Sequence, residues 1–227
     1  MIDEFTVPET TSNDSNISRQ YLTVHFPLQG SKLPADHGYL LYSAINRLRP
    51  ELHCVDWLGI ELISGIRFER GMVALPTRGA QLRLRIPADK FGNVLPLAGK
   101  RLEIGGHGIR LGIPIARPLQ PANSLYAKIV TFKNSLDLPK FLETAKREFS
   151  KKEITTELEI PKETYSRHRR ILTIKDIKIV GFSLIAHGLS EADSIKLQSL
   201  GIGGRRSMGC GIFNPIRKPS KGENSGI

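Results

Sequence analysis

His37 is the side chain best placed by sequence to move a proton. Pro34 and Asp36 precede it and open the stretch D-H-G-Y-L-L-Y-S-A-I, with Asp36 expected as the N-cap of the helix that begins there. The positive end of a helix disfavours imidazolium, so a histidine at that position stays neutral near pH 7 and can accept a proton. A residue at a helix end can also reach from a core into a cleft. Against this, helical spacing puts His37 on the side of Leu41, Ala44 and Leu48, where histidines more often serve structure.

The densest cluster lies near the end of the chain: G-I-G-G-R-R-S-M-G-C-G, Gly201 to Gly211. Glycines let a backbone approach a phosphate closely, and successive N–H groups can form an anion nest. Gly203 and Gly204 supply that freedom, while Arg205 and Arg206 add forked cationic donors. The alternative is a helix C-cap followed by a turn. Two nucleotide-binding patterns fail here. G-x-G-x-x-G has Arg206 at its last glycine, and the P-loop spacing has Cys210 where Lys is required, ahead of a strand rather than a helix.

Two further basic groups could hold RNA. Arg167, Arg169 and Arg170 fall in R-H-R-R between two strands, a hairpin tip able to grip a duplex backbone. His107 and Arg110 fall in G-H-G-I-R, which a tight turn explains equally well. His25, His53 and His187 read as structural. No two histidines have metal-ligand spacing and no carboxylates accompany them, so no metal and no cofactor are expected.

These residues must be held by elements that the patterning outlines. Tyr21–Phe26 alternates as a strand, and Leu40, Leu41, Ala44, Ile45 and Leu48 form the apolar stripe of the first helix, closed by Arg49-Pro50. Ile60–Phe68, Met72–Leu75, Gln81–Ile86 and Ile109–Ile115 read as strands, with a helical turn near Ala88–Phe91 and a turn at Gly105–Gly108. The second half repeats the order. Strand-like Leu125–Phe132 precedes an amphipathic helix, Leu138–Ser150, with Phe141, Leu142, Ala145 and Phe149 inward. Strands follow at Ile154–Ile160, Arg170–Ile174, Ile177–Ala186 and Gly211–Ile216, and Ser190 with Asp193 forms a capping box for a helix ending at Leu200. The fold class expected is α+β, two tandem ferredoxin-like (RRM-like) units. The divisions are a flexible acidic tail at 1–18, an N-terminal unit at 19–120, a C-terminal unit with the Gly-rich loop at 121–217 and a flexible tail at 218–227.

Composition restricts the partner. The formal net charge is +11 and the pI about 9.8, and the first 18 residues hold Asp3, Glu4, Glu9 and Asp14 without Lys or Arg, so the body is more basic than the whole. Such a surface favours a polyanion. Cys54 and Cys210 make neither a disulfide scaffold nor a zinc site, which fits a reduced cytoplasm. No signal peptide is expected, and no apolar run approaches the ~20 residues of a membrane span.

Four segments in this order resemble the CRISPR-associated Cas6 endoribonucleases, above all their Myxococcus-type (MYXAN) branch. They are Asp36–Ile45, L-H-C-V-D-W-L-G-I at Leu52–Ile60, L-P-L-A-G-K at Leu95–Lys100 with G-H-G-I-R-L-G at Gly106–Gly112, and Gly201–Pro215. The resemblance runs from about Tyr21 to Pro215. It implies tandem ferredoxin-like domains, cleavage of CRISPR repeat RNA and retention of the stem-loop product among other Cascade-type subunits. It also implies a catalytic histidine in the first helix, which falls on His37, with Tyr39, Tyr42, Ser43 and Arg47 as candidate helpers. The chemistry expected is metal-independent: the RNA 2′-hydroxyl attacks the adjacent phosphorus and leaves a 2′,3′-cyclic phosphate. The alternative is a non-catalytic RNA-binding subunit of a CRISPR ribonucleoprotein with His37 buried.

Overall fold

The computed structural model describes residues 20–68, 71–161 and 169–216. The first half contains β1 (Tyr21–Gln29), β2 (Lys32–Pro34), α1 (Gly38–Leu48), β3 (Gly59–Ile60), β4 (Ile66–Phe68), β5 (Met72–Ala74), β6 (Gln81–Pro87), α2 (Phe91–Val94), β7 (Arg101–Ile104), β8 (His107–Leu111) and β9 (Ile115–Pro118). The second half contains β10 (Leu125–Val130), α3 (Leu138–Lys151), β11 (Glu157–Glu159), β12 (Arg169–Ile174), β13 (Ile177–His187), α4 (Glu191–Leu200) and β14 (Phe213–Pro215).

Each half has the ferredoxin-like pairing. In the first, β1 lies between β6 and β9, and β6 also pairs β3; all three pairings are antiparallel. In the second, β11-β13-β10-β14 reproduces the same order. The helices cross over between β1 and β3 and between β10 and β11, and α4 leads to β14. The first unit's second crossover is reduced to α2 flanked by 3₁₀ turns at Ala88–Lys90 and Leu95–Leu97. A hairpin of β7 and β8 extends the first sheet, and β2, β5 and β4 form a small separate sheet. β13 is long because it pairs β10 and also serves two further partners: Ile177–Phe182 pairs β12, and Ile185–His187 pairs β11.

Burial follows the alternation. Leu82, Leu84 and Ile86 of β6 point into the first core with Val24, Phe26, Leu41 and Ile45. Phe141, Ala145 and Phe149 of α3 point into the second with Leu125, Ala127 and Leu184. A third cluster, Ile129, Leu172 and Cys210 packed with Leu62 and Met208, lies where the halves meet.

Several elements differ from the sequence reading. Asp36 is not the cap of α1. His37 occupies the N-cap position without a capping side chain, and the Asp36 carboxylate instead accepts the backbone N–H of Thr173 in β12 at 2.8 Å. Leu48 at the end of α1 is exposed. The stretch Ile60–Phe68 is two short strands separated by an irregular segment, 61–65, whose polar groups serve other partners. Ile109–Ile115 divides between β8 and β9, and the last strand is only Phe213–Pro215. The Ser190 cap stands, its Oγ accepting Asp193 N–H at 3.1 Å, and Lys175-Asp176 closes the β12–β13 hairpin with Lys175 at φ 52°.

Candidate active site

His37 is 1% exposed, and both ring nitrogens are engaged. Nε2 accepts the backbone N–H of Ile63 at 3.0 Å, so the ring proton is on Nδ1, which donates to the Pro34 carbonyl at 2.8 Å. Burial lowers its pKa below the ordinary 6.5, and the nearby Lys128 charge lowers it further against the Pro34 bond and Asp36. The neutral form expected from sequence is therefore present, but desolvation is its main cause rather than the helix end.

A small cleft opens beside this ring, lined by Asp36, His37, Leu62 and Arg67 from the first unit and by Lys128, Arg170, Leu172 and Met208 from the second. Lys128 keeps its side chain in contact with solvent. Desolvation still lowers its pKa below the ordinary 10.5, and the charges of Arg67 and Arg170 lower it further. Three cations thus converge on one neutral imidazole. Sequence reasoning found only Arg170. Arg67 and Lys128 were legible only as polar positions in strand-like stretches, Lys128 two residues from Tyr126 and so on the same face of β10.

The Gly-rich loop packs against this cleft from the second unit. Gly201 and Gly211 both have positive φ, and a side chain on either would strike the other's strand of the loop: Gly201 faces the Gly211 carbonyl, and Gly211 the Ile202 carbonyl. Gly203 (φ 80°) also leaves no room for a side chain, since a Cβ there would lie 2.6 Å from the Thr131 carbonyl. These glycines are required by the chain's own packing, whereas Gly204 has open space around its Cα. The loop separates the arginine pair. Arg205 is exposed, with Nη1 3.4 Å from Thr131 Oγ1. Arg206 turns inward, where Nη2 donates to the Ser199 carbonyl at 2.6 Å and the guanidinium also meets Tyr21. Burial pushes the adjacent Cys210 thiol up to about 12.

None of Tyr39, Tyr42, Ser43 or Arg47 lines the cleft. The Tyr42 hydroxyl accepts the Cys54 N–H at 3.2 Å, and Arg47 donates to the Glu103 carbonyl at 3.2 Å. His107 and Arg110 lie on β8, and neither lines the His37 cleft; Arg110 is exposed and opposite Arg101. Arg167 lies outside the described residues, and Arg169 is placed by its backbone, opposite Phe182. Among the described residues no three His, Cys, Asp or Glu side chains gather as a metal site would need, and no helix is long and apolar enough to cross a membrane.

Arg85 was missed by sequence reasoning and is 1% exposed. From β6 it reaches into the second unit, donating to the Gln198 carbonyl at 2.7 Å and Asn214 Oδ1 at 2.9 Å, and it holds Glu61 at 3.2 Å. Its signal was present in Q-L-R-L-R-I: the polar face of that alternation, Gln81, Arg83 and Arg85, looks solvated until a second unit covers it.

Comparison with known proteins places this architecture. The family described as Cas6 Crispr matches residues 22–218. The CRISPR-associated endonuclease Cas6 of Myxococcus xanthus (strain DK1622) is 37% identical over 206 residues, covering 91% of this chain and 86% of that protein. A solved CRISPR-associated protein Cas6 superposes with a TM-score of 0.60 at 16% identity, covering 87% of this chain and 100% of that one. A Cas6-related protein from Pyrococcus furiosus gives a TM-score of 0.57 at 17% identity, covering 88% and 99%. These two structures share the tandem ferredoxin-like fold. The chain belongs to the Cas6 family of CRISPR-associated proteins.

Proposed function

We propose that this protein is an RNA endonuclease that cuts CRISPR repeat transcripts without a metal ion, and that His37 is its base. The observation that carries the reading is the junction of the two units, where a neutral, buried imidazole faces Arg67, Lys128 and Arg170. RNA brings its own nucleophile. A base removes the 2′-hydroxyl proton, the oxygen attacks phosphorus, and the 5′-oxygen departs, leaving a 2′,3′-cyclic phosphate. The Pro34 carbonyl holds the Nδ1 proton, so the lone pair is on Nε2, as a general base requires. The three cations match the charge that grows on the phosphorane. Lys128, with its lowered pKa, is the one best suited to protonate the leaving oxygen. Membership of a family that includes a 37% identical endonuclease supports the same reading.

One contact must change first. The Ile63 N–H occupies Nε2, so RNA in the cleft has to displace the irregular segment 61–65 from the ring. The same contact favours a second reading, a subunit that binds RNA without cutting it, because a histidine with both nitrogens satisfied needs no further role. We assign RNA binding to the exposed Arg205 and Arg110, to the half-buried Arg170 and His107 and, from the sequence pattern R-H-R-R alone, to Arg167 and Arg169, and we infer that the protein stays on its stem-loop product in a Cascade-type complex. Arg206 is reassigned as a tie between the units.

The test is cleavage of labelled repeat RNA in EDTA. Wild-type protein should cut and leave a cyclic phosphate, and a 2′-deoxy nucleotide at the cut should block it. His37→Ala should slow cutting by ~10²–10⁴ while binding is kept. A gel shift without cutting by wild type would select the second reading.

A further inference from the structure

Beside the His37 cleft, a second and larger cavity opens between the two sheets. One wall is the outward face of β6, with Gln81 and Arg83 two residues apart; the other is β10 and β14, with Tyr126, Lys128 and Asn214. Tyr126 and Asn214 are register partners, so their side chains stand together on one face. Lys128 and Leu62 line both cavities, which makes the two spaces neighbours across a single ammonium and a single apolar ridge.

We infer that this cavity is a subsite for one unpaired RNA nucleotide directly beside the scissile phosphate, and that it prefers a keto base, uracil or guanine. The inference rests on the nuclease reading and extends it. A phosphate at Lys128 is shared between the cavities, so a nucleotide attached to it enters the second one. Tyr126, half-buried on the wall, offers a ring on which a base stacks. The hydrogen-bond inventory then sets the preference. Asn214 Oδ1 is taken by Arg85, which leaves its NH₂. Gln81 Oε1 is bonded to His25 at 2.9 Å, which likewise leaves NH₂. Both Glu61 oxygens already hold guanidinium groups, Arg85 on one and Arg83 on the other. With Arg83 and Lys128 the lining presents mainly donors, and donors match the O4 of uracil or the O6 and N7 of guanine. The amino groups of adenine and cytosine would meet donor against donor.

The experiment uses a repeat transcript that the protein cuts, with each of the two nucleotides flanking the cut replaced by every base and by an abasic unit. For wild type, one flank should prefer U or G, and the abasic unit there should lose roughly 5–100-fold. Tyr126→Ala should show a similar loss on the normal RNA and little more on the abasic one; Tyr126→Phe should retain the wild-type pattern. Gln81→Glu keeps an oxygen for His25 and exchanges the donor for an acceptor, so the ratio of keto to amino bases should fall whatever its effect on affinity. Cutting that is blind to both flanks, or Tyr126→Ala and abasic losses that multiply, overturns the subsite alone. Binding without cutting overturns the nuclease reading, and the same contrasts measured as Kd then decide the subsite.

Discussion

At the scale of single residues, burial decides what each charged or titratable group can do. His37 is neutral in the folded protein because its pKa is held below 6.5. Unfolding releases it to an ordinary value, so the unfolded chain takes up a proton that the folded chain refuses. The stability His37 contributes is therefore complete above about pH 6.5 and is lost as pH falls from there toward the folded pKa. Thermal melts from pH 7.5 to 5 should show wild type losing more Tm on acidification than His37→Gln, which has no proton to gain. Cutting should likewise persist to lower pH than free imidazole would allow. The arginine pair divides on the same principle. Arg205→Ala should lower the log–log salt slope of RNA binding by roughly 0.7–0.9, the loss of one phosphate contact. Arg206→Ala should leave that slope unchanged and lower Tm, because it removes the partner of the Ser199 carbonyl and of Tyr21. Equal effects on the slope would return both side chains to the RNA.

At the scale of elements, the Gly-rich loop is a packed joint. Gly209 has φ 87°, and a Cβ there would lie 2.5 Å from Leu62, the ridge between the two cavities. Gly209→Ala should cost about 1–2 kcal/mol from the left-handed backbone alone and push Leu62 into the cleft, slowing cutting. Adding Leu62→Ala restores room, so the double variant should recover rate without recovering the backbone cost; stability and rate measured on both variants separate the terms. How far such elements could be read from sequence depended on what their polar groups did. α3 was legible because Phe141, Ala145 and Phe149 repeat at helical spacing, and the structure adds Asp137 as its cap. The β1 and β10 strands were legible from alternation. The 61–65 segment was not, because its Glu61 carboxylate leaves the ladder for Arg83 and Arg85 and its Ile63 N–H goes to a histidine ring. Asp36 misled for the same reason: a residue type that caps helices was used to hold a strand of the other unit. The position of His37 at the helix start was legible, whereas Arg67 and Lys128 come together with it only through tertiary contact.

At the scale of the molecule, the two units have separate cores but one cleft, so anything that fixes their relative position also fixes the chemistry. The first unit supplies His37 and Arg67, and the second supplies Lys128, Arg170 and Met208. Asp36 to Thr173 ties them beside the cleft, and Arg85 ties them behind it through Gln198, Asn214 and Phe213. The Arg85 guanidinium is fully desolvated, and its attraction to Glu61 opposes that cost. Removing one partner of such a set leaves the others buried and unpaired, which typically costs about 3–5 kcal/mol. Arg85→Ala should therefore lower Tm sharply, and below its Tm it should cut more slowly although Arg85 contacts nothing in the His37 cleft. Arg85→Lys keeps the charge but cannot reach four acceptors with one forked group, so it should recover only part of either loss. The decisive measurement is the rate of single-turnover cutting at saturating RNA and a temperature where each variant is folded by circular dichroism. A folded Arg85→Ala protein that cuts at the wild-type rate would mean that the cleft keeps its shape without this tie, and that the Asp36 contact and the Gly-rich loop hold the units on their own.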